Sequence, residues 1–516
     1  MLPVLSPHQS ADWDRRADAT GIALATLMDA AGRAAALLIA ERFPERLRGG
    51  VLVATGPGHN GGDGWVLARA LHAVGVPVFV APVPGEPAPL TAIMARLARE
   101  AGVRVVEPDG PWPAVQLLVD ALLGTGAKGA LRGSVLALVE RLNDLALPVA
   151  AVDGPTGVDL ATGTTMGSSL RADLSVTFGG LRRGHLLARE ECGDVVVLDI
   201  GHPPADPAWP MLLSDAHAAQ AIGRFSADAH KGDRGRVVVI GGEPGMSGAL
   251  RLAARAAFGA GAGLVWAVAP AETVAILRGA EPDLQTVAHD FTPTLSPELV
   301  TLLERADAVV VGPGLGRGAG RREFVEAVAR RTRRLLLDAD ALNAFQGADA
   351  ALAALASGRV LALTPHVGEF ARLFPAHAAG MDMDPWQAAT AAAAQSGALV
   401  VLKGVPTVIA APGEPPLTVS AGNPGLATGG SGDVLSGIAG TFLSTTDRPL
   451  VALAAAGQAL GRAAEQAARR TTARGMRPMD VVAALPDLWR YWETLRVAPT
   501  PPRPPVRLEL PRPQQW

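Results

Sequence analysis

The segment Asn423-Pro424-Gly425-Leu426-Ala427-Thr428-Gly429-Gly430-Ser431-Gly432-Asp433-Val434-Leu435 joins a glycine run to the opening of an apolar helix. Such a junction leaves several backbone N–H groups unpaired, which makes an anion hole suited to a transferring phosphate. Phosphoryl transfer needs positioning, charge neutralisation and a base for the hydroxyl proton, and Asp433, in the first turn, fits the last role. A helix cap is its structural alternative, although a cap has no need of four glycines beside it. Further segments that follow apolar runs suit the same crevice: Gly312-Pro313-Gly314-Leu315-Gly316, Asp338-Ala339-Asp340-Ala341-Leu342-Asn343, Thr364-Pro365-His366-Val367-Gly368-Glu369-Phe370 and Lys403-Gly404. The glycines allow close backbone approach. Lys403 is either a phosphate partner or an exposed strand-end lysine, and His366 either a ligand contact or a structural histidine.

A second constellation lies earlier in the chain. Gly56 to Gly64, Asp120 with Gly124-Thr125-Gly126, and Asp153-Gly154-Pro155-Thr156-Gly157-Val158-Asp159 each come directly after an apolar run. Asn60, Asp120 and Thr156 are hard oxygen donors able to share a cation. Asp153, at a strand end, is a candidate proton acceptor. Asp120 and Asp153 have a plainer reading as caps of the helices that follow.

Segments of this kind are positioned by strands that stop where they start. Short apolar runs at Val51–Ala54, Val76–Val80, Leu117–Val119, Val149–Val152, Leu174–Thr177 and Val195–Leu198 alternate with helical patterns, the first from Leu24 to Leu38. The pattern breaks between His202 and Arg234, where prolines interrupt it, and restarts at Val237–Ile240, Leu264–Val268, Ala308–Val311, Leu335–Leu337, Val360–Leu363 and Leu399–Leu402. Alternating strands and helices predict an α/β fold of two doubly wound, three-layer domains with parallel sheets. In such sheets ligands bind beyond the carboxyl ends of the strands. The domains are expected at 1–210 and 220–490, followed by a Pro-rich, extended, poorly ordered tail over 491–516.

The 516 residues suit about two to four domains, and 49% hydrophobic against 18% charged residues supports buried cores. A net charge of −3 argues against a dedicated polyanion binder, so no nucleic-acid partner is expected. The single cysteine, Cys192, excludes a disulfide framework and reads as a small buried hydrophobe rather than a reactive thiol. Met1–Ser10 shows no signal-peptide pattern and no apolar stretch is long enough to span a bilayer, so a cytoplasmic location without membrane attachment is expected. The phosphate-binding P-loop, the hydrolase nucleophile elbow and the His-Glu-x-x-His zinc motif are missing from the sequence.

Gly56-x-Gly58-x-Asn60-Gly61-Gly62-Asp63-Gly64, Asp153-x-Pro155-Thr156-Gly157-x-Asp159 and Leu27-Met28-x-x-Ala31-Gly32 together resemble the NAD(P)H-hydrate epimerase domain. The resemblance implies a Rossmann-like domain whose loop His59, Asn60, Gly61, Gly62, Asp63 binds the hydrated nicotinamide nucleotide. It further implies that Gly124, Thr125, Gly126, Ala127, Lys128, Gly129 and Ala130 line that ligand, that Asn60, Asp120 and Thr156 hold potassium, and that Asp153 is the acid/base residue. The family usually has Asn where this chain has His59, and Ser where it has Thr156; the second swap keeps the hydroxyl.

The Gly-Gly-Ser-Gly-Asp helix start resembles the ribokinase-like superfamily. Within it, Asp338 to Asn343, Pro365-His366-x-Gly368-Glu369, Lys403-Gly404, His230-Lys231-Gly232-x-x-Gly235 and Gly248-Ala249 are similar to the NAD(P)H-hydrate dehydratase. That resemblance implies phosphorylation of the hydrate's ring hydroxyl by ADP, as in fused bacterial members, or by ATP, with magnesium neutralising charge. By position, Asp433 would be the base. Ala249, Gly314, Gly316 and His366 would contact the hydrate with it, and Lys403, Gly404, Val405, Pro406, Thr407 and Gly432 would hold the nucleotide. A homo-oligomer is expected. Two other readings stand beside this one: a ribokinase-like kinase for a small alcohol, and a first domain that is a non-catalytic nucleotide-binding or scaffolding module, which His59 alone favours.

Overall fold

A computed structural model describes residues 1–165, 167–497 and 503–513. The chain divides into two compact units, one of Leu2–Trp209 with residues 503–513, the other of residues 210–497.

In the first unit, seven parallel strands lie in one sheet: Val51–Thr55, Val78–Pro82, Arg104–Val105, Leu117–Ala121, Val149–Val152, Leu174–Phe178 and Asp194–Leu198. Counted along the chain, their spatial order is third, second, first, fourth, fifth, sixth, seventh. The order in which strands are added therefore reverses between Val51–Thr55 and Leu117–Ala121, which pair in parallel. Strand residues alternate between two cores: Val51 and Val53 pack with Ala35, Ile39 and Leu67 of the helices Leu24–Arg42 and His59–Ala73. Leu52 and Ala54 pack with Leu138, Val139 and Leu142 of the helix Gly133–Asp144. A sheet buried on both faces needs continuous apolar runs, as the sequence shows.

The tail departs from expectation. The helix Pro478–Val497 runs through its start, and Val506–Leu510 pairs antiparallel with Asp194–Leu198 at the first unit's sheet edge. Val506, Leu508 and Leu510 turn inward while Arg507 and Glu509 are exposed, a period-two pattern that the proline count obscures. The part of the tail with Pro499, Pro501 and Pro502 lies outside the described residues.

The second unit repeats the plan. Arg236–Ile240, Leu264–Ala269, Gln285–Ala288, Ala308–Val311, Arg334–Leu337, Val360–Leu363 and Leu399–Leu402 are parallel and take the same order, again reversing between the first and the fourth. Beyond Leu399–Leu402 the sheet continues antiparallel through Thr407–Ala410 and Leu417–Val419, which the all-parallel expectation omits. Val237 and Val239 share a core with Ala253 and Ala257 of the helix Ser247–Gly259 and with Ile438 and Phe442 of the helix Ser431–Ser444. Among the described residues no single helix is long and apolar enough to cross a membrane. Cys192 is fully buried, and burial pushes its thiol up to about 12.

Candidate active sites

The first unit's loops meet at its switch point, where an open-sheet crevice forms. Gly56 leaves the strand Val51–Thr55 so close to the next loop that an added Cβ would lie 1.9 Å from Leu122 O. A cavity of about 550 Å³ opens here, lined among others by His59, Asn60, Asp63, Gly124, Asp153 and Arg182. Thr125, Gly126 and Ala127 line it too, whereas Lys128, Gly129 and Ala130 lie outside the lining on the exposed stretch of that loop. His59 sits exposed at the cavity. Gly61 and Gly62 stand behind the wall: Cβ atoms there would meet Gly56 O at 1.9 Å and Met28 Sδ at 2.5 Å. These two glycines let the helix start pack rather than let a ligand approach.

Asp153 is the best-held group in the cavity. It has a φ of +64°, a conformation that costs a non-glycine residue about 1–3 kcal/mol. Its carbonyl faces His185 Nε2 at 2.6 Å, while Arg182 N–H donates to His185 Nδ1 at 3.0 Å. That pairing assigns the proton to Nε2, and burial, the largest influence on the ring, brings it down to about 4, so it is neutral. The Asp153 carboxylate accepts from Thr125 N–H (3.0 Å) and Thr177 Oγ1 (3.1 Å) and pairs with Arg182 Nη2 (3.2 Å). Burial opposes its charge most strongly, but the guanidinium and these hydrogen bonds together outweigh it and hold the carboxyl below the usual range. Asp63 goes the other way: burial first, then the charges of Asp153 and Asp14, raise it well above the ordinary value. The two carboxyl groups of one cavity are thus pushed in opposite directions, the arrangement that separates base from acid. Sequence reasoning missed Arg182 and His185, which no motif marks.

Asp120 is 1% exposed and accepts from Thr156 N–H (2.6 Å), Thr156 Oγ1 (2.8 Å) and Leu122 N–H (3.1 Å). Its cap-like bonds thus run to the third loop, tying two loops together. Asn60 is buried, and neither polar atom of its amide has a partner among the described residues. A Cβ on Gly124 would fall 3.2 Å from Asp153 Oδ2 and 3.3 Å from Asn60 Cβ, so amide and carboxylate converge on that glycine.

In the second unit, Gly430 caps the helix Ser431–Ser444 with a φ of +100°, where a side chain would be strained and would press 2.7 Å from Leu252 Cδ1. Beneath the helix start lies Asp338, 1% exposed. It accepts from Lys403 Nζ (2.9 Å), Thr364 Oγ1 (2.8 Å) and Ser436 Oγ (2.8 Å). Lys403 is therefore no free strand-end lysine. Burial works against its charge, but Asp338 and Glu369 outweigh burial and raise it. Gly432 lies directly above, its absent Cβ 3.4 Å from Lys403 Nζ. Burial and the neighbouring Asp338 carboxylate push Asp433 up to about 7 against the pull of Lys403.

Other predicted residues gather at the same sheet end. Gly316 N–H donates to Asp340 Oδ2 at 3.0 Å, and Asp340 is close enough to Asp433 to contribute to its shift. Ala249, in the first turn of its helix, lies 3.4 Å from where a Gly314 Cβ would be. His366 caps the helix Val367–Leu373, its Nδ1 accepting from Gly368 N–H (3.0 Å) and Glu369 N–H (3.3 Å). Its Nε2 lies 3.6 Å from Glu369 Oε1, yet 56% of the side chain is exposed, so it serves structure and can still meet a ligand. In the loop Lys403–Thr407, Gly404 and Val405 are exposed, Pro406 is buried, and Thr407 Oγ1 donates to Gly404 O at 3.1 Å. Asp338, the hub of this network, is a residue that sequence reasoning placed after a strand without giving it a role.

Two α/β units of one topology, one with a cleft whose two carboxyl groups are shifted apart and one with an aspartate in the first turn of a glycine-opened helix, define a two-site enzyme of the open-sheet class. Comparison with known proteins gives the family. Residues 24–184 match the family described as YjeF-related protein N-terminus, and residues 237–487 match NAD(P)H-hydrate dehydratase. The bifunctional NAD(P)H-hydrate repair enzyme of Escherichia coli K12 is 38% identical over 507 residues, covering 94% of each chain. That of Pyrobaculum aerophilum is 36% identical over 478 residues, covering 88% of this chain and 92% of its own. The chain belongs to the bifunctional NAD(P)H-hydrate repair enzyme family. Among solved structures, an ADP/ATP-dependent NAD(P)H-hydrate dehydratase from Bacillus subtilis, co-crystallized with ATP/Mg2+, aligns over 55% of this chain and 99% of its own, at 24% identity and a TM-score of 0.48.

Proposed function

We propose that the first unit interconverts the R and S epimers of hydrated NADH and NADPH, and that the second dehydrates the S form with ADP, releasing AMP and phosphate. The observation that carries this reading is Asp433, a base titrating near neutrality at the mouth of a glycine-opened helix. It takes the proton of the ring-carbon-6 hydroxyl as the terminal phosphoryl group of ADP passes to that oxygen. The carbon–oxygen bond then breaks with phosphate leaving, and loss of a proton from carbon 5 restores the double bond. Lys403, Gly404, Val405, Pro406, Thr407 and Gly432 hold the nucleotide, and Ala249, Gly314, Gly316 and His366 the hydrate. Magnesium is ordinarily carried on substrate phosphates with one or two carboxylates, and among the described residues no cluster of three His, Cys, Asp or Glu side chains is arranged as a cage. When bound with ADP it supplies charge neutralisation.

In the first unit Asp153, as carboxylate, takes the hydroxyl proton as the bond between carbon 6 and the ring nitrogen breaks to give an aldehyde, and passes that proton to the nitrogen; re-addition of the nitrogen to the other face of the carbonyl, with the proton returned to oxygen, gives the other epimer. Asn60, Asp120 and Thr156 fit potassium: they are oxygen donors with a single carboxylate, and the Asn60 amide has no partner among the described residues. When bound, the ion supplies positive charge beside an anionic ligand. The strained Asp153 backbone argues for a catalytic rather than scaffolding role, because scaffolding gains nothing from holding strain. A small-alcohol kinase is not favoured, since it leaves the first cleft without a task. A homo-oligomeric, cytoplasmic enzyme completes the proposal.

The test is recovery of reduced-nicotinamide absorbance from mixed NADH-hydrate epimers with ADP and with ATP, corrected for spontaneous exchange. Fast and complete recovery with ADP is expected. Asp433→Ala should abolish dehydration and spare epimer exchange, and Asp153→Ala the reverse. Equal loss of both activities in either variant would overturn the division.

A further inference from the structure

The second unit contains a separate cavity of about 380 Å³ whose lining includes Gly316, Arg317, Arg321, Arg322, Asp340 and Arg372. Four arginines line it, with Asp340 and Glu323 the carboxylate-bearing residues of its wall. Arg321 is already engaged, pairing with Glu243 at 2.8 Å and donating to Leu315 O at 3.0 Å. The other three make only long or single contacts. Arg317 is 75% exposed and reaches Asp340 only at 3.6 Å. Arg322 has two long pairs, 3.8 Å to Glu323 and 3.9 Å to Glu326. Arg372 donates to the Asn343 amide oxygen at 3.3 Å and has no carboxylate partner among the described residues.

Two further features favour an anion. The helix Arg321–Ala329 begins at this cavity, with Gly320 as its cap, and a helix start attracts negative charge. Gly316, where the proposed hydrate contacts begin, belongs both to the cavity wall and to the network that reaches Asp433 through Asp340. A ligand reacting at Asp433 and passing Gly316 would carry its distal end into the arginines. A dinucleotide bears phosphates beyond its reacting ring; a small alcohol has none.

We propose that Arg317, Arg322 and Arg372 form an anion subsite that binds a phosphate group of the hydrated dinucleotide. The ligand chemistry rests on the function proposed above; the positive cavity does not. The phosphate is either the pyrophosphate, common to both hydrates, or the 2′-phosphate found only in the NADPH form. Arginine matches phosphate through paired N–H donors.

The experiment compares the full-length wild type with Arg317→Gln/Arg372→Gln, checked for folding by circular dichroism. KM and kcat are measured with the S hydrates of NADH and NADPH, and binding of NADH and NADPH themselves is followed by fluorescence. Loss of charge-assisted bonds should raise KM about tenfold or more, with kcat changed less than about twofold. A rise for both hydrates assigns the pyrophosphate, and a rise for the NADPH hydrate alone assigns the 2′-phosphate. Unchanged KM and unchanged NADPH affinity in the folded variant overturn the subsite. If the wild type itself fails to dehydrate either hydrate, the proposed function falls, while the fluorescence comparison still decides whether the arginines bind the dinucleotide.

Discussion

Single side chains here are set by what surrounds them, and their titration is the way to see it. Asp433, raised to about 7, can accept a proton only when ionised. Dehydration should therefore gain about tenfold in kcat/KM per pH unit on the acid side and level off above about pH 7. A pH profile of S-hydrate dehydration checks this; a knee in the ordinary aspartate range would show that another group limits the step. Asp153 is shifted oppositely, because Arg182 and its hydrogen bonds outweigh burial. Removing the guanidinium in Arg182→Leu should raise the Asp153 carboxyl, moving the acid limb of epimer exchange to higher pH. A merely structural role would lower the rate at every pH and leave the limb in place.

At the scale of elements, the glycine-rich starts of helices serve packing as much as binding. Gly61→Ala places a Cβ 1.9 Å from Gly56 O, a clash with backbone that only a shift of the helix His59–Ala73 can relieve. Overpacking of this kind costs about 1–3 kcal/mol, and the shift would drag Asn60 and Asp63 with it. A lowered melting temperature with weakened epimer exchange is expected. Gly58→Ala, with φ of −79° and nothing within 4 Å of the new Cβ, should leave both nearly unchanged. Equal effects of the two substitutions on calorimetry and exchange rate would refute the packing account.

Across the whole molecule, the chain leaves its first unit at Trp209 and comes back to it at the carboxyl terminus. A chain ended at Val497 leaves the strand Asp194–Leu198 without its edge partner. Epimer exchange and the first unit's melting temperature should fall, by about 2–4 °C for each kcal/mol lost in a domain of this size. Dehydration of the S form should persist. Retention of full epimerase stability on truncation would make the strand dispensable.

Much of this architecture was legible in advance: apolar runs alternating with helical patterns determine layered α/β units, since such runs are stable only when covered on both faces. The glycine-and-carboxylate segments were legible because loop chemistry is local. The edge strand Val506–Leu510 was hidden because pairing depends on a partner some three hundred residues away. For the same reason no motif announced Arg182, His185 or the arginine cavity, and Asp338 stood in a motif that did not show its role. Sequence alone determined which residue types could do chemistry and the elements that carry them. Only the tertiary structure decided their charge states and partners, because burial and through-space electrostatics act between groups that the chain brings together only on folding.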